Sequence, residues 1–176
     1  MNMKRAIKII WQFATCLVIT GSMCNAGEEI PLSGHITKCG VYMYSYEGKK
    51  IAESSSATGY VTEGGRIFVS SSTNIALAKG IAFGFDLQIE GAPTNQPLRL
   101  THIIKHPKMR KPNGEIVDQQ TFDRDVKSVN GVITGSLWYT LREDYELLPG
   151  EWTISILSGN TILAEKKFII VKRNEK

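Results

Sequence analysis

Few side chains in this sequence are spaced for chemistry. His102 and His106 lie four apart in the run LTHIIKHP. On a helix that spacing would aim two imidazoles at one metal ion. The residues around them alternate as a strand does, so four steps of about 3.3 Å separate the two by roughly 13 Å. They cannot chelate one ion unaided, and His35 has no partner nearby in sequence. Asp123 and Asp125 flank Arg124 in a polar stretch. On a strand face they would stand about 7 Å apart, a separation that a cation or a glycoside hydrolase can use. Calcium would need several more oxygens at set spacing, and the intervening arginine points to ion pairing. A hydrolase working through Asp123 and Asp125 is therefore the third-ranked reading.

Nucleophiles and phosphate loops fare no better. Cys39 sits in the series Cys39, Val41, Met43, a strand setting rather than the helix start that would lower a thiol pKa. No Gly-x-Ser-x-Gly elbow occurs, and Gly64-Gly65 precedes a strand, not the helix that a phosphate loop needs. The expectation is a protein that is not an enzyme and uses no cofactor and no metal. Two surfaces suit recognition instead. Lys105, Lys108, Arg110 and Lys111 crowd ahead of the turn Pro112-Asn113-Gly114. They could meet an anionic lipid head group, a polysaccharide or a protein patch, or simply solvate a hairpin tip against aggregation. Tyr42, Tyr44 and Tyr46 alternate on one strand and could form a stacking platform, or pack across strands on a half-exposed sheet.

The elements that must carry these residues read as strands throughout. In Gly80–Glu90, Ile81, Phe83, Phe85, Leu87 and Ile89 alternate with Ala82, Gly84, Asp86, Gln88 and Glu90, which marks one dry face and one wet face. Leu98–His106 repeats the pattern and is expected to stop at His106-Pro107, since proline cannot donate to a ladder. Gly131–Leu141, Trp152–Ile156 and Thr161–Val171 follow, the last two joined by a turn at Ser158-Gly159-Asn160. Ile36–Tyr44, Arg66–Ser70 and Thr73–Leu77 supply the N-terminal strands. No segment keeps helical spacing for more than a turn. In LLPGEWTI, Leu148 should plug the core, Pro149-Gly150 set a corner between sheets, and Trp152 pack beneath it. Short strands without crossover helices indicate an all-β, antiparallel β-sandwich of about seven strands, immunoglobulin-like in its last two-thirds.

The first 26 residues stand outside that pattern. Lys4, Arg5 and Lys8 precede an apolar run, Ile9 to Met23, that is shorter than the roughly 20 residues of a spanning helix. Cys24-Asn25-Ala26 then supplies a small-residue exit. These are the parts of a secretory signal peptide cleaved after Ala26. Lipidation of Cys24 is the weaker alternative, because Met23 is bulky. The expected products are a signal peptide over 1–26, a single sandwich domain over 27–176, no membrane span after cleavage, and a periplasmic or secreted location. The whole chain carries +4 at neutral pH, but three of its 21 basic residues leave with the leader. The remaining 18 against 17 acids leave +1, which supports no nucleic-acid partner. Cys16 and Cys24 leave as well, so Cys39 can form no internal disulfide.

The runs GIAFGFDLQIEGAP, LTHIIKHP, ELLPGEW and LAEKKFIIV resemble an uncharacterised family of exported bacterial proteins, a domain of unknown function. The resemblance covers roughly Ile36 to Val171. It implies export and a β-rich fold, and it supplies no catalytic residues. The functional expectation is an exported, non-catalytic binding module, foremost an adaptor or inhibitor for an envelope or secreted protein. The alternative is a binder of polysaccharide, peptidoglycan or anionic lipid.

Overall fold

The computed structural model describes residues 31–172, except positions 55 and 57 and the side chains at 44–48 and 61–64. The expected signal peptide lies outside the described residues. The strands are β1 (Ser33–Ala52), β2 (Tyr60–Ser70), β3 (Asn74–Ala76), β4 (Ala82–Glu90), β5 (Pro97–Arg110), β6 (Ile116–Lys127), β7 (Ile133–Thr140), β8 (Gly150–Ser158) and β9 (Thr161–Val171). A 3₁₀ turn, Asp144–Glu146, separates β7 from β8. Among the described residues no helix is long and apolar enough to cross a membrane.

The strands form two layers. One sheet has the order β2-β1-β4-β7, the other β3-β9-β8-β5-β6. Pairing is antiparallel throughout, except that β3 runs parallel to β9. The dry row of β4 is as the sequence predicts, but the expected wet row is not wet throughout: Ala82 and Gly84 are buried, Asp86 and Gln88 half-buried, and Glu90 exposed. Phe83, Phe85 and Ile89 are fully buried and Leu87 nearly so, facing the second sheet. Gly34 of β1 comes so close to β9 that an added Cβ would lie 2.5 Å from the Leu163 carbonyl oxygen. That contact packs β1 over β9 and leaves β7 and β6 as the edges on the opposite side.

The centre of the core is aromatic. The Trp152 indole is fully buried, edge-on to Phe83 at 5.6 Å and 4.8 Å from the Tyr139 ring. Its Nε1–H donates to the Leu148 carbonyl at 3.3 Å. The corner read from LLPGEW is therefore present. Gly150 adopts φ 134°, where an L side chain is strained, and a Cβ there would also meet the Pro107 ring at 2.9 Å. Leu148 packs against the core while staying partly exposed, and Pro149 is exposed.

Three readings need correction. Among the described residues the strands number nine where about seven are expected; β6 is the one that no strand expected from sequence covers, because it lies in a stretch whose outward row is charged. β5 does not stop at His106-Pro107: it continues to Arg110 through a register shift between Lys105 and Met109, a bulge that leaves proline with no ladder bond to make. Strand β1 extends eight residues past Tyr44, to Ala52.

Candidate functional site

Strands β6 and β7 are each the last strand of their sheet. They follow one another in the chain through a tight turn closed by the Val129–Val132 bridge, then part into different layers. Between them lies a cavity of about 540 Å³, inside the range of small-molecule sites, about 300–1,000 Å³. Its floor is core: Leu87 and Ile89 from β4, Leu100 from β5, Ile156 from β8. The β7 lip is low because its residues are small: Thr134, Gly135 and Ser136. Gly135 pairs with Leu87, and directly opposed residues share a face, so it belongs to the inward row. A Cβ at Gly135 would make only an ordinary contact, 3.6 Å from Leu87 Cδ2. The space beside it is thus open for a side chain or for a ligand.

The opposite lip comes from the inward row of β6. His102, Leu100 and Leu98 of β5 pair with Phe122, Arg124 and Val126, which puts an arginine between two apolar residues on the side facing the core. The Arg124 guanidinium lies 5.5 Å from the Phe122 ring centre. Among the described residues no carboxylate comes within ion-pair distance of it. Below it, the His102 imidazole is 8% exposed and stacks on Phe122 at 4.8 Å with 3° between the planes. Its Nδ1 is buried without a hydrogen-bond partner. Burial, with Arg124 adding to it, lowers the His102 pKa, while the Phe122 backbone and Asp123 oppose the shift. The groove therefore combines apolar walls, one imidazole with a lowered pKa, the exposed Asp125 carboxylate and one guanidinium that makes no ion pair among the described residues.

A second, smaller cavity of about 100 Å³ lies where β7 meets the 3₁₀ turn. Here Glu146, 1% exposed, accepts hydrogen bonds from the Tyr139 hydroxyl at 2.6 Å and from the Arg142 and Glu143 N–H groups at 2.6 and 2.7 Å. Burial, and then the Glu146 charge, push the Tyr139 pKa well up. Three donors on one carboxylate satisfy it and pin the turn, so this cavity reads as structural. Among the described residues no group of three His, Cys, Asp or Glu side chains comes together to hold a metal.

The family model for DUF3859, a domain of unknown function, matches residues 33–170. The chain belongs to that family. An immunoglobulin-like protein from Pseudomonas aeruginosa has a similar solved structure, with 23% identity over 82% of this chain and 100% of that one, at a TM-score of 0.53. At that identity the likeness shows the fold alone: an immunoglobulin-like β-sandwich. A Pseudomonas fluorescens alkylpurine DNA glycosylase bound to DNA with an abasic site analogue also matches. The identity is 18% over 56% of this chain and 27% of the glycosylase, at a TM-score of 0.36. No curated protein matches.

Of the residues singled out in this DUF3859 domain from sequence, His102 and Asp125 both line the groove, and the others whose side chains are described lie elsewhere. Tyr42 is 2% exposed, wedged between Phe68 and Trp138 at 5.5 and 5.6 Å on the outer face of the four-stranded sheet. Burial, with Asp86 nearby, pushes its pKa up to about 12. It is a packed ring and cannot head a stacking platform; the side chains of Tyr44 and Tyr46 lie outside the described residues. Lys105, Lys108 and Arg110 are exposed, but along β5 rather than in an end loop. Lys111 is tied to Glu115 across the turn at 3.2 Å. The Asp123 carboxylate is held by Arg99 at 2.9 Å and by the Thr101 hydroxyl at 2.8 Å, which lower its pKa. Asp125 is exposed, opposite Arg99. His102 and His106 are buried, His106 against Trp152 at 5.0 Å, while His35 is exposed. Cys39 is a free, half-buried thiol opposite Phe85. The groove itself was missed, although Phe122, Arg124 and Val126 alternate and place the arginine on the apolar side.

Proposed function

We propose that this domain is an exported, non-catalytic binding module, and that its site is the groove between β6 and β7. The observation that carries the reading is a ligand-sized space floored by core side chains and left unfilled at Gly135. Its walls call for a small molecule with an apolar body. A protein strand added to the free edge of β7 would satisfy backbone groups, yet it would give no role to the inward guanidinium and the unpartnered imidazole nitrogen. The basic, short apolar leader supports export. Protein recovered from the cell envelope should have an intact mass that begins near Gly27; a mass retaining Met1–Ala26 would overturn that part.

The groove is tested with the apolar fluorophore N-phenylnaphthylamine and the mature chain. Fluorescence should rise on binding, and Trp138, which lines the groove, should be quenched. Gly135→Leu should lose both signals while its urea unfolding curve stays close to wild type, because Gly135 has no positive φ and open space beside it. Undiminished binding by Gly135→Leu would place the fluorophore elsewhere and overturn the reading.

An adaptor role is the second reading, favoured by the exposed row Lys105, Lys108 and Arg110. It expects affinity purification to recover one stoichiometric protein, lost when the basic residues are replaced and retained in Gly135→Leu.

A further inference from the structure

Resting on the reading of the groove as the binding site, we infer that its ligand is a single-chain amphiphile with an anionic head, whose head group sits on Arg124 and whose chain fills the groove over Leu87, Leu100 and Ile156. Arg124 is half-buried on the inward face of its strand, an uncommon place for an arginine, since charged residues are mostly exposed. Here it is flanked by Phe122 and Val126, and among the described residues it has no carboxylate. Its planar fork matches a carboxylate or phosphate bidentately, and stacking near Phe122 fixes the guanidinium before the ligand arrives. His102 lines the same groove, and its buried Nδ1 atom lacks a hydrogen-bond partner. In the Nδ1–H tautomer it can donate to a second head-group oxygen. Of the carboxylates nearby, Asp123 is on the outward row, tied to Arg99 and Thr101, and Asp125, exposed on that row, lines the groove without coming within ion-pair distance of Arg124. A cationic or neutral head would leave the guanidinium desolvated and unpaired.

The test is displacement of N-phenylnaphthylamine from the mature protein by dodecanoate, dodecyl phosphate, dodecanol and dodecyltrimethylammonium, each below its micelle concentration. The two anions should displace the fluorophore about tenfold or more better than dodecanol, as one charge-assisted hydrogen-bond pair implies, and the cation should be weakest. Their mutual order tells a carboxylate source from a phosphate one. Within the Arg124→Gln variant the two anions should displace the fluorophore no better than dodecanol does, and Arg124→Lys should keep part of the preference. Equal displacement by dodecanoate and dodecanol in the wild type overturns this inference and leaves the groove reading standing. Failure of the fluorophore to bind overturns both. The wild-type ranking decides by itself should Arg124→Gln fold poorly.

Discussion

His102 and His106 sit inside the sandwich as neutral rings. Burial is the leading cause of the lowered pKa in each, and backbone carbonyls only partly offset it. In the unfolded chain both titrate near the ordinary value of 6.5. The unfolded state therefore binds more protons than the native state below that pH, so stability is fully present above pH 6.5 and falls as the pH drops toward the folded-state values. Urea midpoints should decline between pH 7 and pH 5 by more than surface carboxylates account for, and His102→Phe should flatten part of the slope. A midpoint that does not move over this window would mean that the rings take up protons as readily in the native state as in the unfolded one. Phe in place of His102 keeps the stack on Phe122 and removes the unpartnered nitrogen, so at pH 7 its effect on stability should be small.

The β5–β6 hairpin separates what single elements reveal from what they conceal. Strand β4 is legible because one face is continuously apolar and the other carries Asp86, Gln88 and Glu90. Strand β6 is the edge of its sheet; its outward row, Thr121, Asp123 and Asp125, is exposed, and its inward row is broken by Arg124. Neither row gives the period-two signal that burial on one face normally imposes. Proline at 107 misled for a related reason: a bulge lets the strand continue past it. The basic residues at the tip should then matter little to folding. Lys108 and Arg110 are exposed, and the half-buried Lys111 makes one ion pair, with the exposed Glu115. Replacing Lys108, Arg110 and Lys111 together by Ser should cost less than about 1.5 kcal/mol in chemical denaturation. A larger loss would show that the hairpin turn depends on the Lys111–Glu115 pair.

At the scale of the whole molecule, the fold class was readable because strand period, corner and closing hairpin agree with one another. The site was not readable, because it arises from the divergence of two edge strands that belong to different sheets, which no local pattern encodes. Trp152 is where the two layers depend on each other. Its ring touches Phe83 and Tyr139 of one sheet and His106 of the other, and its N–H secures the corner carbonyl at Leu148. Truncation to alanine removes a fully buried indole and leaves a cavity shared by both layers, so Trp152→Ala should cost about 3–5 kcal/mol. Domains of this kind hold only about 5–15 kcal/mol in total, and the variant should unfold at markedly lower urea with an unchanged slope. Trp152→Phe keeps most of the ring but drops the N–H bond to Leu148, so it should fall between wild type and alanine. A cost below about 1 kcal/mol for alanine would mean that the sheets pack without the indole, and that the corner rests on Gly150 and Pro107 alone.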